Sequence, residues 1–489
     1  MRYIRLSFII LFSGILISTG RGQSPEISWI KVLGGRYADA GNSVCQAPDG
    51  GYIVAGFTYA SATRGYDVYL IKTSSGGSLV WDKTCGGQSD DWANCVQNTS
   101  DGGFIIAGGT ESFGDIYGNV YLIKTDSTGN VEWEKNYGGR YGEEALWVEQ
   151  TGDGGYILAG WTNSFGYGGD DFYVIRTDSD GDTLWTRTCG ENFYDKGYCV
   201  KETSDGCFIV AGGIGFWGTT PSDGYLIKIN PDGDLLWARR VGGNWAESVR
   251  GVAIAPDGGF QLTGWTMSFG NGQHDVYIAG TDSLGQNVIS KTCGGVSTDV
   301  GTSISPALDG GYIITGYTSS YGAGNYDIYM IKTDSQGDTL WTKVHGGINA
   351  DQGLSAIQCD DGGYVITGLT QSFGSAGSNV ILIKLASDQG TDIGDRIDFL
   401  TPVDFLLHQN YPNPFNAATT ISFTLETQQS IKLKIYDIMG REVCTLADGL
   451  KDAGYHRVLF DGSDLACGVY IYRIETDDYC ESRRMILIK

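Results

Sequence analysis

The sequence predicts an all-β protein: a seven-bladed β-propeller closed by an N-terminal strand, followed by a small Ig-like β-sandwich. Three observations carry that expectation. One tetrapeptide recurs every 52 residues, at Asp49-Gly50-Gly51-Tyr52, Asp101-Gly102-Gly103-Phe104, Asp153-Gly154-Gly155-Tyr156, Asp205-Gly206-Cys207-Phe208, Asp257-Gly258-Gly259-Phe260, Asp309-Gly310-Gly311-Tyr312 and Asp361-Gly362-Gly363-Tyr364. Each repeat divides into four strand-length runs. The first such run in the chain and the last repeat complete one another. A fixed period near 50 residues, rich in Gly and aromatics, belongs to propellers and β-solenoids.

The second repeat shows the unit. Asn94-Cys95-Val96-Gln97 reads as a first strand and Asp101-Gly102-Gly103 as a hairpin turn, where Gly tolerates positive φ. Phe104–Gly108 is a second strand, and a longer loop through Phe113 and Tyr117 leads to a third, Asn119–Lys124. Asp126-Ser127-Thr128-Gly129 turns the chain into a fourth, Asn130–Lys135. The third strand alternates and is β-branched or aromatic. Large anchors recur on the fourth strand (Trp29, Trp81, Trp133, Trp185, Trp237, Ile289, Trp341) and the third (Tyr69, Tyr121, Tyr173, Tyr225, Tyr277, Tyr329, Ile381). They are expected to pack between blades, since aromatics supply much of the core energy.

The phase of the repeat predicts closure. A fourth-type strand, Ile27–Val32, precedes the first complete copy of the other three, and the last copy ends at Lys384 with no Trp strand after it. Pairing the two ends removes open sheet edges. A linear solenoid would need polar caps at both ends, and none is visible. The propeller is therefore placed at residues 27–385, with a linker at 386–402 and a second domain at 403–489.

Residues 1–22 read as a secretory signal peptide: Arg2 and Arg5, an apolar run from Leu6 to Ile17, then Ser18-Thr19-Gly20. That run is too short to span a bilayer, and no transmembrane segment is expected in the mature chain. Secretion permits disulfides among the eleven cysteines. Cys85/Cys95 and Cys189/Cys199 repeat a ten-residue spacing; they are disulfides or small buried residues. Four His and no Cys-x-x-Cys give zinc or haem little support. A net charge of −24 argues against nucleic acid.

The acids are not randomly placed. Asp39, Asp91, Glu143, Asp195, Glu247, Asp299 and Asp351 fall on one repeat position, ahead of each first strand. Around a propeller axis they would form a ring. Either each carboxylate accepts backbone N–H bonds and fixes its loop, or the ring holds a cation or ligand. No cofactor is expected; calcium is the one for which oxygen ligands are on offer, and the metal question stays open. The turns Asp178-Ser179-Asp180-Gly181-Asp182 and Asn230-Pro231-Asp232-Gly233-Asp234 alternate oxygens as calcium loops do, but the distal Glu is missing. Asp178-x-x-Gly181-x-x-x-Trp185 partly resembles the Trp-docking repeats of quinoprotein-like propellers, with an acid-to-Gly spacing one residue shorter. The repeat length is close to that of kelch propellers, whose double Gly lies at a different strand end. These likenesses imply fold and no activity.

The second domain reads as short alternating strands: Ile421–Leu425, Ile431–Tyr436, Arg457–Phe460 and Val469–Ile474. Asn410-Tyr411-Pro412-Asn413-Pro414-Phe415-Asn416 resembles the opening signature of the type A C-terminal sorting domain of the type IX secretion system. The likeness continues through Ile435–Val443, which contains Gly440-Arg441-Glu442, and Gly468-Val469-Tyr470-Ile471-Tyr472-Arg473 to the terminal Met485–Lys489. Ala417-Ala418 departs from the Pro-Thr common in that family. The resemblance implies the type IX machinery as a partner. It also implies a secreted or outer-membrane cell-surface location in a Gram-negative bacterium of the Bacteroidetes type or relatives.

Two function classes remain. One is a non-catalytic propeller binding glycan, matrix or protein. The other is an extracellular hydrolase or lyase acting on polysaccharide. An enzyme normally breaks repeat symmetry with a mismatched set of acids, bases and nucleophiles; here the loops are near-copies, and no catalytic residue is assigned. The binding candidates are the seven acids, Trp92 and Trp245 on the loops of the acidic face, and Phe216 and Trp217 in the most divergent loop.

Overall fold

The computed structural model describes residues 24–388 and 406–488, apart from 36, 62–63, 192–193, 216–221, 376, 408–409, 411–414, 426–428, 452–453, 464 and 477–479. The described residues fall into two compact units, one within 24–388 and the other within 406–488.

The first unit is a seven-bladed β-propeller of four-stranded antiparallel sheets. Six sheets take four consecutive strands. The seventh joins Asp351–Gln358, Tyr364–Thr370 and Asn379–Leu385 to the N-terminal strand Ile27–Leu33, with Ile30 opposite Ile383 and Val32 opposite Ile381. The first strands of successive blades neighbour one another around a closed circle, so they line the axis. Fourth strands form the outer edge and are half exposed, as in Val131–Tyr137, whereas Phe104–Thr110 and Asn119–Thr125 are buried throughout. Burial on both faces explains why the middle strands are continuous runs of Ile, Val, Leu and aromatics.

Blades are keyed to one another by aromatic rings. Five fourth-strand Trp residues lie against the ring that follows the Asp-Gly turn of the next blade: Trp29 on Tyr52 at 5.9 Å, Trp133 on Tyr156 at 5.9 Å, Trp185 on Phe208 at 6.1 Å, Trp237 on Phe260 at 6.1 Å and Trp341 on Tyr364 at 5.8 Å. Such pairs add about 0.5–1.5 kcal/mol beyond area burial. The Trp ring also explains a turn glycine. Gly181 has φ +77°, and a Cβ there would sit 2.8 Å from Trp133.

A ring of buried cations was not foreseen. The fully buried Lys332 donates from Nζ to Asp309 Oδ1 at 2.9 Å, Asp309 Oδ2 at 2.7 Å and Thr333 O at 2.9 Å. Lys124 pairs with Asp101 at 2.8 Å, Lys384 with Asp361 at 2.6 Å, and Lys72 and Arg176 with Asp49 and Asp153. Burial works to raise the Asp101 carboxyl, but Lys124, Thr99 and the Gly103 N–H outweigh it and hold it at about 2. The turn aspartate is thus locked to the third strand of its own blade. Blade five has Gly280 at the cation position, with Gln261 beside it.

The C-terminal unit is a β-sandwich. One sheet holds Leu406–Leu407, Ala418–Leu425 and Gly454–Asp461; the other holds Glu442–Lys451, Gln429–Asp437, Gly468–Glu475 and Cys480–Leu487. Phe423, Ile435, Phe460, Tyr472 and Met485 share its core. Several signature residues prove to be structural. Asn410 is buried; its N–H donates to the Tyr472 hydroxyl at 2.8 Å and its Nδ2 to Thr419 at 3.0 Å. Phe415 is buried, donates to Ile486 O and accepts from Ile488 N–H, both at 2.9 Å. Gly440, at φ +77°, closes a turn in which Arg441 Nε meets Asp437 at 2.7 Å, and Lys434 meets Glu442 at 2.8 Å. Gly468 has φ +157°, and the Tyr470 hydroxyl donates to Ala466 O at 2.8 Å. Tyr411, Pro412, Asn413 and Pro414 lie outside the described residues, and Asn416 is exposed.

Candidate functional site

The seven acids sit at or just before the start of each first strand and are buried, none more than 2% exposed. Each accepts the N–H four residues before it: Gly35 to Asp39 at 2.6 Å, Gly87 to Asp91 at 2.7 Å, Gly139 to Glu143 and Gly243 to Glu247 at 2.9 Å, Gly295 to Asp299 and Gly347 to Asp351 at 2.7 Å, and Glu191 to Asp195. The other oxygen turns to the end of the second strand. It accepts Thr162 in blade three at 2.9 Å, Thr266 in blade five at 2.7 Å, and Thr318 and Thr370 in the next two. Blade four has Ile214 there, and the Gly215 N–H takes the hydroxyl's place at 3.0 Å. In blades three to seven these carboxylates tie two loops together; in blade two Asp91 does so through a single oxygen, which also accepts the Ser112 hydroxyl at 2.7 Å, while Asp39 Oδ1 and Asp91 Oδ1 are buried without a hydrogen bond among the described residues.

A second set of polar residues at the same spacing, on the third strand, was missed: Asn119, Asp171, Asp223, Asp275, Asp327 and Asn379 open it, and Asp67 is the fourth residue of the longer strand Arg64–Thr73. Both sets converge on the glycine that ends the fourth strand. A Cβ on Gly86 would lie 2.5 Å from Asp91 Oδ2 and 2.8 Å from Asp67 Oδ1; Gly190, Gly294 and Gly346 face the matching acid pairs, and Gly138 faces Glu143 and the Asn119 amide. The signal was present in the sequence as an Asp/Asn position of period 52.

Burial, reinforced by the neighbouring carboxylate, raises carboxyl pKa values where two carboxyls meet. Burial lifts Asp171 to about 6, opposed by the Tyr167 N–H and reinforced by Asp195 and Asp170. Burial likewise raises Asp195 and Asp275. For Asp171 the folded value lies above the unfolded 3.8, so its stabilising contribution is complete below that pH and disappears as pH rises through 6. Asp171→Asn supplies the amide that blades two and seven already use. The variant is expected to melt higher than the parent at pH 7 and to lose part of the decline between pH 4 and 7. An unchanged pH profile in thermal melts would refute this coupling.

Trp92 differs from expectation: it lies within the strand Asp91–Asn98 rather than on a loop, half-buried, with its indole N–H donating to Glu144 at 2.6 Å. Asn94 donates to the same oxygen at 2.7 Å and Trp161 to the other at 2.9 Å. Lys196, paired with Asp170 at 3.1 Å, lies 4.2 Å from the Trp161 ring centre. This cluster at the channel mouth has no counterpart in the other blades, because Trp92, Glu144 and Lys196 occupy one repeat position held elsewhere by Ala40, Ser248, Val300 and Gln352.

Trp245 is on a connecting loop and 66% exposed. Its N–H donates to Ser268 at 2.7 Å, just as Tyr141 donates to Ser164 at 2.7 Å. Tyr141 is exposed on the same kind of connection, and Tyr117 and Tyr167 on the loops between second and third strands, with the Tyr117 and Tyr141 rings 6.1 Å apart. Phe216 and Trp217 lie outside the described residues. All eleven cysteines are free thiols in the structure; Cys95 and Cys199 are buried, their thiols directed at Val148 O and Val252 O. Among the described residues no three His, Cys, Asp or Glu side chains group as metal ligands, and no helix is long and apolar enough to cross a membrane.

Fold and motif together define a β-propeller carrying an export module. Residues 409–489 match the secretion system C-terminal sorting domain family. That domain marks the chain as a client of the type IX secretion machinery, secreted or at the cell surface. A comparison with curated proteins finds no match. Similar solved structures include PorZ of Porphyromonas gingivalis, described as an essential bacterial surface component of the type IX secretion system (14% identity, 90% of this chain and 58% of that one, TM-score 0.39). Others are a Dyadobacter fermentans protein of unknown function (14%, 74% and 99%, 0.45) and the Neurospora crassa Pan2 WD40 domain (10%, 71% and 89%, 0.45). The chain thus spans under two thirds of PorZ, and none of these likenesses says what it binds.

Proposed function

We propose that this protein is a non-catalytic propeller, exported by the type IX route, that binds glycan, matrix or protein ligands outside the cell. The match of residues 409–489 to a sorting domain carries the export half of the reading. In this reading residues 1–22 are the leader, 27–385 the binding domain, 386–402 the linker and 403–489 the sorting domain. Exposed Trp245, Tyr141 and Tyr117 on hydrogen-bonded loops support the binding half: rigid aromatics offer contact area at low entropic cost. The near-identity of the loops favours binding over catalysis.

Deleting 403–489 is expected to leave the chain in the periplasm of its native host, with the propeller melting as before. Normal surface display of the truncated chain would sink the export assignment. A glycan array run beside a polysaccharide-hydrolysis panel tests the rest. Retention without turnover is expected, and turnover would transfer the assignment to the hydrolase or lyase class.

A further inference from the structure

Every first strand carries a β-bulge. In blade five the register shifts between Val249 and Gly251, so Arg250 has no partner on the neighbouring strand. The extra residue of each blade faces the axis and is half-buried. In the other blades with a short polar residue there, its side chain closes onto the next blade: Asn42 on Ala93 O, Asn94 on Ala145 O and Thr302 on Gly353 O, each at 2.8 Å. Arg250 does not. Its Nε is buried without a hydrogen bond, and no ion pair involves its guanidinium among the described residues. The guanidinium lies 5.7 Å from the ring centre of Tyr198, the bulge residue of the preceding blade. On the other side its charge reaches the Tyr317 phenol, which burial raises and Arg250 lowers.

The neighbouring channel charges are already matched. Glu144 is held by Trp92, Asn94 and Trp161, and Lys196 by Asp170. Arg250 is the one charged side chain on the described first strands without a partner, inside a chain of net charge −24. A guanidinium whose Nε is buried without a hydrogen bond is unfavourable unless something pairs with it. Its planar fork matches a carboxylate in bidentate fashion. The overall negative field opposes anions at long range, but it is screened beyond about 8 Å at physiological salt, so the local cation decides.

We propose that Arg250 is the recognition point of a ligand site in the propeller channel that takes a uronate, a sugar bearing a carboxylate. The carboxylate would pair with Arg250 while the apolar face of the pyranose lies on Tyr198 or Tyr317. This rests on the glycan branch of the binding reading above. An inorganic anion could use the guanidinium but would gain nothing from the rings.

The test is calorimetric titration of the full chain with trigalacturonate, neutral galactotriose and sodium sulfate, using the parent, Arg250→Gln, Arg250→Lys and Tyr198→Leu. Trigalacturonate is expected to bind the parent, at least about tenfold more tightly than galactotriose or sulfate. Arg250→Gln should weaken it at least about tenfold with the melting temperature unchanged or raised, since the guanidinium makes no hydrogen bond or ion pair among the described residues. Arg250→Lys should fall between the two, because an ammonium cannot form the fork. If Arg250→Gln does not fold, the lysine and Tyr198→Leu variants give the answer. Sulfate binding as tightly as trigalacturonate would overturn the sugar assignment. Trigalacturonate binding that ignores Arg250, or galactotriose binding equally well, would overturn the site while leaving the glycan reading intact. A folded parent that binds no saccharide would overturn both.

Discussion

A chain lacking residues 27–33 is expected to aggregate or to melt far below the intact protein. The seven residues complete blade seven by pairing along Asn379–Leu385, a strand otherwise buried throughout. Without them, that strand presents its unpaired N–H and C=O groups and an apolar face, a template for intermolecular pairing. The lost side chains reach both neighbours. Ile27 packs with the core around Trp341, and Trp29 and Leu33 pack with the core around Tyr52. Domains are held by about 5–15 kcal/mol in total, and losing a whole strand with these three anchors removes much of that. Thermal melts read with light scattering provide the check. A truncated chain that melts like the parent, without scattering, would show that the ring does not depend on this closure.

Asp299→Ala is expected to destabilise the propeller by about 2–4 kcal/mol, because donors left buried without an acceptor cost about 1–3 kcal/mol each. The carboxylate accepts Gly295 N–H and the Ser320 hydroxyl at 2.7 Å, together with the Thr318 hydroxyl. Removing it unties both loops of blade six at once. With the carboxylates so engaged, calcium should leave the melting temperature nearly unchanged. A steep, saturable rise with calcium that vanishes in Asp91→Asn/Asp299→Asn would make the ring a metal site, since a ligand of the native state alone must stabilise it.

Side-chain roles were less legible than the fold. The acids at period 52 were visible, and loop fixing was one of the two readings open for them. Their companions were not seen, because Asp67 and Asp91 meet only through the return of the fourth strand. The Lys332–Asp309 pair escaped for the same reason: the partners are 23 residues apart and face each other only in the finished hairpins. Trp92 was misplaced by three residues of strand boundary, which was enough to turn a channel-mouth indole into a loop aromatic. The repeat symmetry is broken on the first strands, at Trp92, Glu144, Lys196 and Arg250, rather than in the loops.

By itself the sequence determined the number of blades, the closure by Ile27–Leu33, the Trp anchors and the sorting module. These follow from covalent periodicity and from motifs read in order along the chain, and they need no knowledge of which distant atoms meet. Only the tertiary structure decided that seven carboxylates are buried against backbone N–H groups rather than displayed. It alone placed a bulge that turns Arg250 to the axis and left its guanidinium without a hydrogen bond or ion pair among the described residues. Burial, bulge geometry and hydrogen-bond satisfaction depend on how adjacent blades dock, and a repeat read one copy at a time does not contain its neighbour.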